Sequence, residues 1–377
     1  MHVRCEQTDW TSESGERLHV HGYEERRWRH LDSCQYRTYL YAKVPRVKYP
    51  DGRTELVRVP WAEKHSRFTM LFERLAIDLL QECSIQAACR IVDISWDAAD
   101  GIKQRAVRRG LRRREKVSYK RLCIDEKSYG SGHQYMTLVA QVREDRSATV
   151  AYIGQGREEA ALDGFWNGLD RSQKAGIEAV AMDMWKPYIN ATKAQLHGAE
   201  EKIVHDPFHL HRHMNDAVNT VRKQEHAVLQ KQGDDRLKGT RYYWLYAEEN
   251  RPDRVMHAWE SLKVENLKTA RAWAIQEMFR SLWKCASQDE ASRFFSNWYG
   301  WAARSRLEPV KRVARMLKKH LPQILTYFRH RLTNAAIEGL NNKIQAIVKK
   351  AYGHRNLQRF KNDIFFHVGG LNLHPGC

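Results

Sequence analysis

"LCIDEKSYG" (Leu122–Gly130), followed by "QYMTLVAQV" (Gln134–Val142) and "ATVAYI" (Ala148–Ile153), opens the α/β part of a 377-residue chain. Leu122-Cys123-Ile124 is a short apolar run that stops at Asp125, and the next two segments are β-rich, which predicts a meander of three strands. Arg157 to Leu169 places Ala161, Phe165 and Leu169 on one helical face. Ile177–Met182 is a second apolar run that stops at an acid, Asp183, and Lys202-Ile203-Val204 is a third, ending near Asp206. Three strands, a helix, a strand, a helix and a strand describe a mixed sheet with helices packed on it.

Downstream, residues 208–330 carry almost no strand signal. Leu267, Ala270, Ala274, Met278 and Leu282 form a helical stripe, and Trp244, Trp259, Trp273, Trp283, Trp298 and Trp301 fall in the same region. Most of these tryptophans are expected in the core of a helical insertion, with one or two free to stack on unpaired bases. A last helix is expected from about Asn334 to Ala351, capped by Asn334 and stopped by Gly353. Ile337, Leu340, Ile344, Ile347 and Ala351 form its core stripe. Glu338, Asn342, Gln345 and Lys349 lie within about 40° of one another on a polar face.

Upstream, Phe68, Phe72, Leu75, Ala76 and Leu79 recur at helical spacing. Ile85–Val92 follows the capping residue Ser84, and Trp96–Arg109 follows the break Asp93-Ile94-Ser95. Two helices joined by so short a turn predict a helix-turn-helix, with the second helix in a DNA major groove. Its tail is basic. Lys103, Arg105, Arg108, Arg109, Arg112, Arg113, Arg114, Lys116, Lys120 and Arg121 face one local acid, Glu115, and are read as phosphate contacts. Residues 1–65 are irregular and rich in Arg and aromatics, with short strands expected at Tyr36–Val44 and Glu55–Val59.

Composition narrows the function. Lys and Arg outnumber Asp and Glu by 64 to 45, a formal charge of +19, which points to a polyanionic partner. The chain is 42% hydrophobic and 10% aromatic, so most of it should fold, in more than one domain. No run is long and apolar enough for a membrane span, and no secretory signal opens the chain. Seven scattered cysteines fit reduced cytosolic thiols, and together with the charge a cytoplasmic, nucleoid-associated location is expected. There is no CxxC, HExxH or Walker-type loop, and Gly154-Gln155-Gly156 lacks the third glycine of a dinucleotide fingerprint.

Asp125, Asp183 and Glu338 stand where carboxylates at strand ends face one helix. Such a trio can hold two divalent cations and process phosphodiesters, although each acid taken singly fits a structural or exposed position better.

The segments around these acids resemble the catalytic blocks of insertion-sequence transposases of the ISL3 family. Ile124–Ser128 with Gly132–Tyr135 is similar to the first block, "MDMWKPY" (Met182–Tyr188) to the second, and "LTNAAIEGLNNKIQAIVKKAYGHRN" (Leu332–Asn356) to the third. "GR" (Gly156-Arg157) and "HDPFHL" (His205–Leu210) fall between them in the family's order. "RRWRHLD" (Arg26–Asp32), "VPRV" (Val44–Val47) and "VPWA" (Val59–Ala62) resemble its N-terminal region.

The resemblance implies an α/β catalytic core of RNase H-like type, a mixed five-stranded sheet with flanking helices. Around it come an N-terminal β-rich module, a helix-turn-helix and an all-α insertion. It implies a triad of Asp125, Asp183 and Glu338 as catalytic and metal-binding residues, with Mg²⁺ as the cofactor and Mn²⁺ as a substitute. Glu126 is the near miss, since adjacent strand residues point to opposite faces. Asp206 matches a recurrent family acid, and no metal site is read from His205, His209 and His213. The expected domains are 1–65, 66–118, 119–207, 208–330 and 331–377, in the order module, helix-turn-helix, first part of the core, insertion and final helix.

The family's paired N-terminal cysteines are not matched: Thr8 stands at the partner position of Cys5, Tyr49 stands at a later one, and Cys34 belongs to another block. His2, His19 and His21 are the alternative donors, and a metal-free or degenerate zinc-ribbon-like module is expected. The implied activity is transposition: binding of terminal inverted repeats, metal-dependent cleavage and strand transfer on double-stranded DNA, as a homodimer. Lys349 joins the residues from Lys103 to Arg114 as a DNA contact. The alternatives are a non-catalytic transposase-derived DNA-binding protein and a structure-selective RNase H-like nuclease.

Overall fold

The computed structural model describes residues 1–7, 9–12, 14–114, 117–130, 134–351 and 356–376. Glu115, Lys116, Gly132, His133, Gly353 and Arg355 lie outside the described residues. The chain divides into two compact units, one of residues 1–116 with 343–377 and one of residues 117–342.

The first unit opens on a five-stranded sheet of β1 (His2–Val3), β2 (Trp10–Thr11), β3 (Arg17–Arg29), β4 (Tyr39–Lys48) and β5 (Thr54–Leu56). The order is β1-β4-β3-β2, with β5 also on β4. Trp28 meets Trp61 edge-on at 5.5 Å, over Leu40, Val44 and Ala62. The longest strand, β3, escapes prediction because its polar sequence gives little apolar alternation, and its pairing with β4 is offset between Val20 and Gly22.

Three helices follow: α1 (Met70–Glu82), α2 (Ile85–Val92) and α3 (Trp96–Arg113). Thr69, Ser84 and Ser95 cap them, each accepting a backbone N–H from the residue three positions on. Asp93 takes the left-handed conformation (φ 50°) that turns the chain between α2 and α3. Phe72, Ala76 and Ile77 of α1 pack with Ala99, Ile102 and Ala106 of α3.

The second unit holds β6 (Arg121–Gly130), β7 (Gln134–Val142), β8 (Ala148–Gln155), α4 (Asp163–Asn167), α5 (Arg171–Ala175), β9 (Ala179–Met182), α6 (Lys186–Gln195) and β10 (Ile203–His205). The sheet order is β10-β9-β6-β7-β8. β6, β9 and β10 are parallel neighbours, and β7 is antiparallel to both β6 and β8. Leu122, Ile124, Val139, Val180 and Ile203 join Phe165, Trp166 and Tyr188 in its core. The helix expected over Arg157–Leu169 is instead a 3₁₀ turn, Glu159–Leu162, running into the short α4. Gly164 and Gly168 weaken a continuous helix there. Gly154 admits no side chain, because a Cβ would lie 1.9 Å from the Ala161 carbonyl oxygen.

From Pro207 to His330 the described residues are helices and turns: α7 (Pro207–Lys231), α8 (Arg241–Leu245), α9 (Asp253–Lys263), α10 (Lys268–Arg280), α11 (Gln288–Arg304), α12 (Glu308–Lys319), α13 (Leu321–Leu325) and α14 (Tyr327–His330). Trp244, Trp259, Trp273 and Trp298 are buried in their shared core, Trp283 packs against it, and Trp301 is exposed. The last two helices are α15 (Ala335–Lys350) and α16 (Leu357–Val368). α16 packs on α3 in the first unit, where Phe366 and Leu373 enter the helix-turn-helix core and Lys103 pairs with Asp363. Residues 343–377 therefore group with the helix-turn-helix rather than with the sheet of β6–β10.

Candidate active site

The parallel register aligns three acids. Cys123 of β6 lies opposite Ala181 of β9, so two residues further on Asp125 and Asp183 are neighbours. His205 of β10 lies opposite Met182, which brings Asp206 beside Asp183. Asp183 and Asp206 directly follow the last residues of β9 and β10, whereas β6 continues past Asp125 to Gly130, so Asp125 sits where the pairing of β6 with β9 ends rather than at the end of its strand. Ligands of open α/β sheets bind on this side. Strand alternation sorts the remaining side chains of β6. Cys123 donates from Sγ to the Thr333 carbonyl at 3.7 Å, Asp125 reaches Asn341, and Lys127 Nζ donates to the Asn341 carbonyl at 3.5 Å. Positions 123, 125 and 127 thus share the face toward α15 and its preceding loop, and Glu126 points away.

Both Asp125 oxygens are engaged. Oδ1 accepts the Glu126 N–H at 2.9 Å and Oδ2 accepts Nδ2 of Asn341 at 2.8 Å. Burial pushes the Asp125 carboxyl above its ordinary range, against the opposing pull of the Glu126 N–H and nearby His209; Glu126 is raised by burial too. Asp183 accepts the Met184 N–H at 2.6 Å and faces His209 Nδ1 at 3.7 Å. Asp206, 3% exposed, accepts the Phe208 N–H at 3.2 Å, capping α7. It also accepts the Asn334 N–H at 3.0 Å, just ahead of α15. Burial raises its carboxyl as well.

Glu338 is exposed on α15, one turn before Asn341, and its N–H donates to the Asn334 carbonyl at 2.8 Å. The structure brings Asp125 and Asp183 together and sets Glu338 on the helix that Asn341 ties to Asp125. Among the described residues, no three His, Cys, Asp or Glu side chains are spaced to enclose an ion. Asn341 is the contact that sequence reasoning missed. It lies between the core stripe and the polar face of α15, and only its place three residues after Glu338 marks it.

The donor set at the strand ends is carboxylate oxygen, which suits a hard divalent cation. Each Asp125 oxygen keeps a lone pair beyond its one N–H partner, and a raised carboxyl in a half-buried site gains from a cation. Among the described residues the N-terminal module holds two cysteines. Cys5 and Cys34 are exposed and far apart in sequence, and His30 Nδ1 shares a 2.9 Å hydrogen bond with Thr69 Oγ1.

The basic run divides. Lys103, 7% exposed, pairs with Asp363. Arg105 donates twice to Glu73 Oε1 at 2.9 and 2.5 Å. Arg109, 4% exposed, lies 3.1 Å from Glu63 and 3.4 Å from Glu73, and also donates to the Leu373 carbonyl. Arg113 donates to the His374 carbonyl and Arg114 to that of Gly369. Arg108 and Arg112 are exposed on the α3 face opposite Ile102, Ala106 and Gly110, and Lys349 is exposed on α15. The acids that pair with Lys103, Arg105 and Arg109 come from outside the run, so the local charge count could not reveal them.

A mixed sheet flanked by helices, with acids aligned at the ends of its parallel strands and a helix-turn-helix elsewhere in the chain, fits a DNA-processing enzyme with an RNase H-like core. The transposase model of the ISL3 family matches residues 122–364, and the chain belongs to that family. The model for the helix-turn-helix domain of ISL3 transposases matches residues 57–107. A zinc-finger model of the transposases of IS204, IS1001, IS1096 and IS1165 matches residues 14–52. The chain is similar to the transposase for insertion sequence element IS1001 of Bordetella parapertussis, at 27% identity over 90% of this chain and 84% of the relative. It is also similar to the transposase for IS1557 of Mycobacterium tuberculosis, at 26% identity over 88% and 79%. It is a DNA transposase, an enzyme of DNA cleavage and strand transfer. No described helix is long and apolar enough to cross a membrane.

Proposed function

We propose that Asp125, Asp183 and Glu338 are the carboxylates that hold the divalent cations of this reaction, with Mg²⁺ as the natural ion and Mn²⁺ as a substitute. The observation that carries the reading is the alignment of Asp125 with Asp183 across neighbouring parallel strands, with α15 tied to Asp125 through Asn341. When bound, the cations supply an activated oxygen nucleophile and charge stabilisation for the leaving oxygen. The carboxylates act as ligands rather than as an acid–base pair. Asn341 and the Glu126 N–H orient Asp125, the Met184 N–H orients Asp183, and Asp206 holds the start of α15.

Sequence reading of DNA falls to α3. On an ideal helix Asp97, Gly101, Gln104, Arg108 and Arg112 share the stripe opposite its buried face. Arg108, Arg112 and Lys349 are the phosphate contacts of this reading, while Lys103, Arg105 and Arg109 build the domain that presents them. The enzyme acts on two element ends as a homodimer, with a zinc-ribbon-like module at its N-terminus that joins in binding DNA.

The test is a cleavage and joining assay in Mg²⁺ on three DNAs: the terminal inverted repeats that flank the gene, unrelated duplex and a four-way junction. Cleavage at the repeats with joining of the new 3′-hydroxyls is expected. Cleavage confined to the junction would favour a structure-selective nuclease.

A further inference from the structure

Arg157 stands at the carboxyl end of β8. Because β7 is antiparallel to both β6 and β8, this is the same edge of the sheet as Asp125 and Asp183. Its guanidinium lies over two aromatic rings, 4.5 Å from the ring centre of Tyr135 and 5.0 Å from that of Trp185. Trp185 follows Asp183 by two residues, and its indole N–H donates to the Arg157 carbonyl at 2.8 Å. The preceding residue is fixed as well. Gly156 has φ 83°, its N–H donates to the Tyr135 carbonyl at 2.9 Å, and its carbonyl accepts the Thr137 hydroxyl at 2.8 Å. Thr137 in turn shares a 2.9 Å hydrogen bond with the Tyr188 hydroxyl.

This support defines the direction of the guanidinium plane, yet among the described residues no carboxylate lies within ion-pairing distance of it. The side chain is only half-buried. An arginine held against aromatic rings keeps the N–H groups along its edge for a planar, two-oxygen acceptor. Its field favours ionisation of Glu126, the neighbour of Asp125 on β6. A site that draws a phosphodiester toward several carboxylates also needs a fixed positive charge to offset their repulsion.

We propose that Arg157 binds a DNA backbone phosphate beside the carboxylate cluster, holding the strand for cleavage or joining. The inference rests on the transposase reading, and the ligand is a phosphodiester of either the element end or the target DNA. Trp185 and Gly156 act as positioning residues for the arginine.

The test is a coupling experiment by equilibrium binding, in the Asp183→Asn background so that turnover is not needed. Arginine and Arg157→Ala proteins are compared on DNAs carrying a neutral methylphosphonate at one linkage at a time. One set scans the element end near the cleavage site, and the other scans target DNA joined to a pre-cut end. Arg157→Ala is expected to weaken binding about tenfold on native DNA. At one linkage the neutral substitution should abolish that difference, and the set in which this happens names the strand contacted. Arg157→Lys, which keeps the charge and loses the fork, should fall between them. Equal binding by both proteins, or an equal loss at every linkage, would overturn the proposal. Melting of Arg157→Lys tracks its fold, and a fully native lysine variant with no binding defect would overturn it too. Failure of the acids is read separately, by cleavage with otherwise native protein.

Discussion

Asn341 Nδ2 donates to Asp125 Oδ2 across 2.8 Å, so its side chain ties the helix carrying Glu338 to the first acid itself. Orienting groups of this kind matter nearly as much as ligands. Asn341→Ala is expected to lower Mg²⁺-dependent cleavage by about 10–100-fold and to raise the Mg²⁺ concentration needed for half-maximal rate. Initial rates across a Mg²⁺ titration check this, and an unchanged titration would remove Asn341 from the site.

Asp206 accepts two backbone N–H groups, one at the start of α7 and one just ahead of α15. Asp206→Ala uncaps α7 and leaves the buried Asn334 N–H without that acceptor, the latter at a cost of about 1–3 kcal/mol. Thermal melting should show the loss, and cleavage should fall further than stability alone explains, because the start of the Glu338 helix is freed.

In the helix-turn-helix, Glu73 is 1% exposed and serves Arg105, Arg109 and the Ser66 hydroxyl. Glu73→Gln removes the charge that Arg105 and Arg109 share, leaving buried Arg109 with Glu63 and the Leu373 carbonyl, and breaking such a network costs up to about 3–5 kcal/mol. Arg108→Ala should do the opposite, leaving melting unchanged while end-DNA binding weakens and its salt slope flattens by about 0.9. Gel-shift titrations at several salt concentrations, paired with melting curves, separate the two outcomes.

His205 is fully buried, its Nδ1–H donating to the Met182 carbonyl at 3.3 Å, and burial lowers its pKa to about 4. Lys193 and His320 oppose a further charge there and Asp183 favours it. The neutral ring therefore supports the fold above the ordinary histidine range, and that support is lost as pH falls from about 6.5 toward about 4. His205→Gln should flatten the stability profile over this window by up to about 1.4 kcal/mol per pH unit. Denaturant midpoints at successive pH values measure it.

The sequence made the acid edge legible because each apolar run stops at a carboxylate and strand alternation separates Asp125 from Glu126. It concealed Asn341, whose contact depends on how α15 is rotated against the sheet. Arg157 stood in a quoted motif without a role, since the rings that stack on it come from β7 and from the loop after β9. Lys103, Arg105 and Arg109 read as open charge because Asp363 and Glu73 lie elsewhere in the chain. For the same reason α16, which follows the catalytic helix in sequence, gave no sign that its partner is α3.

Asp183 tests the account most directly, since it lies beside Asp125 and is not buried in a structural network. Cleavage of element-end DNA by Asp183→Asn should fall more than about a hundredfold in Mg²⁺ and in Mn²⁺, with binding to the same DNA retained. Undiminished cleavage by Asp183→Asn would contradict the account.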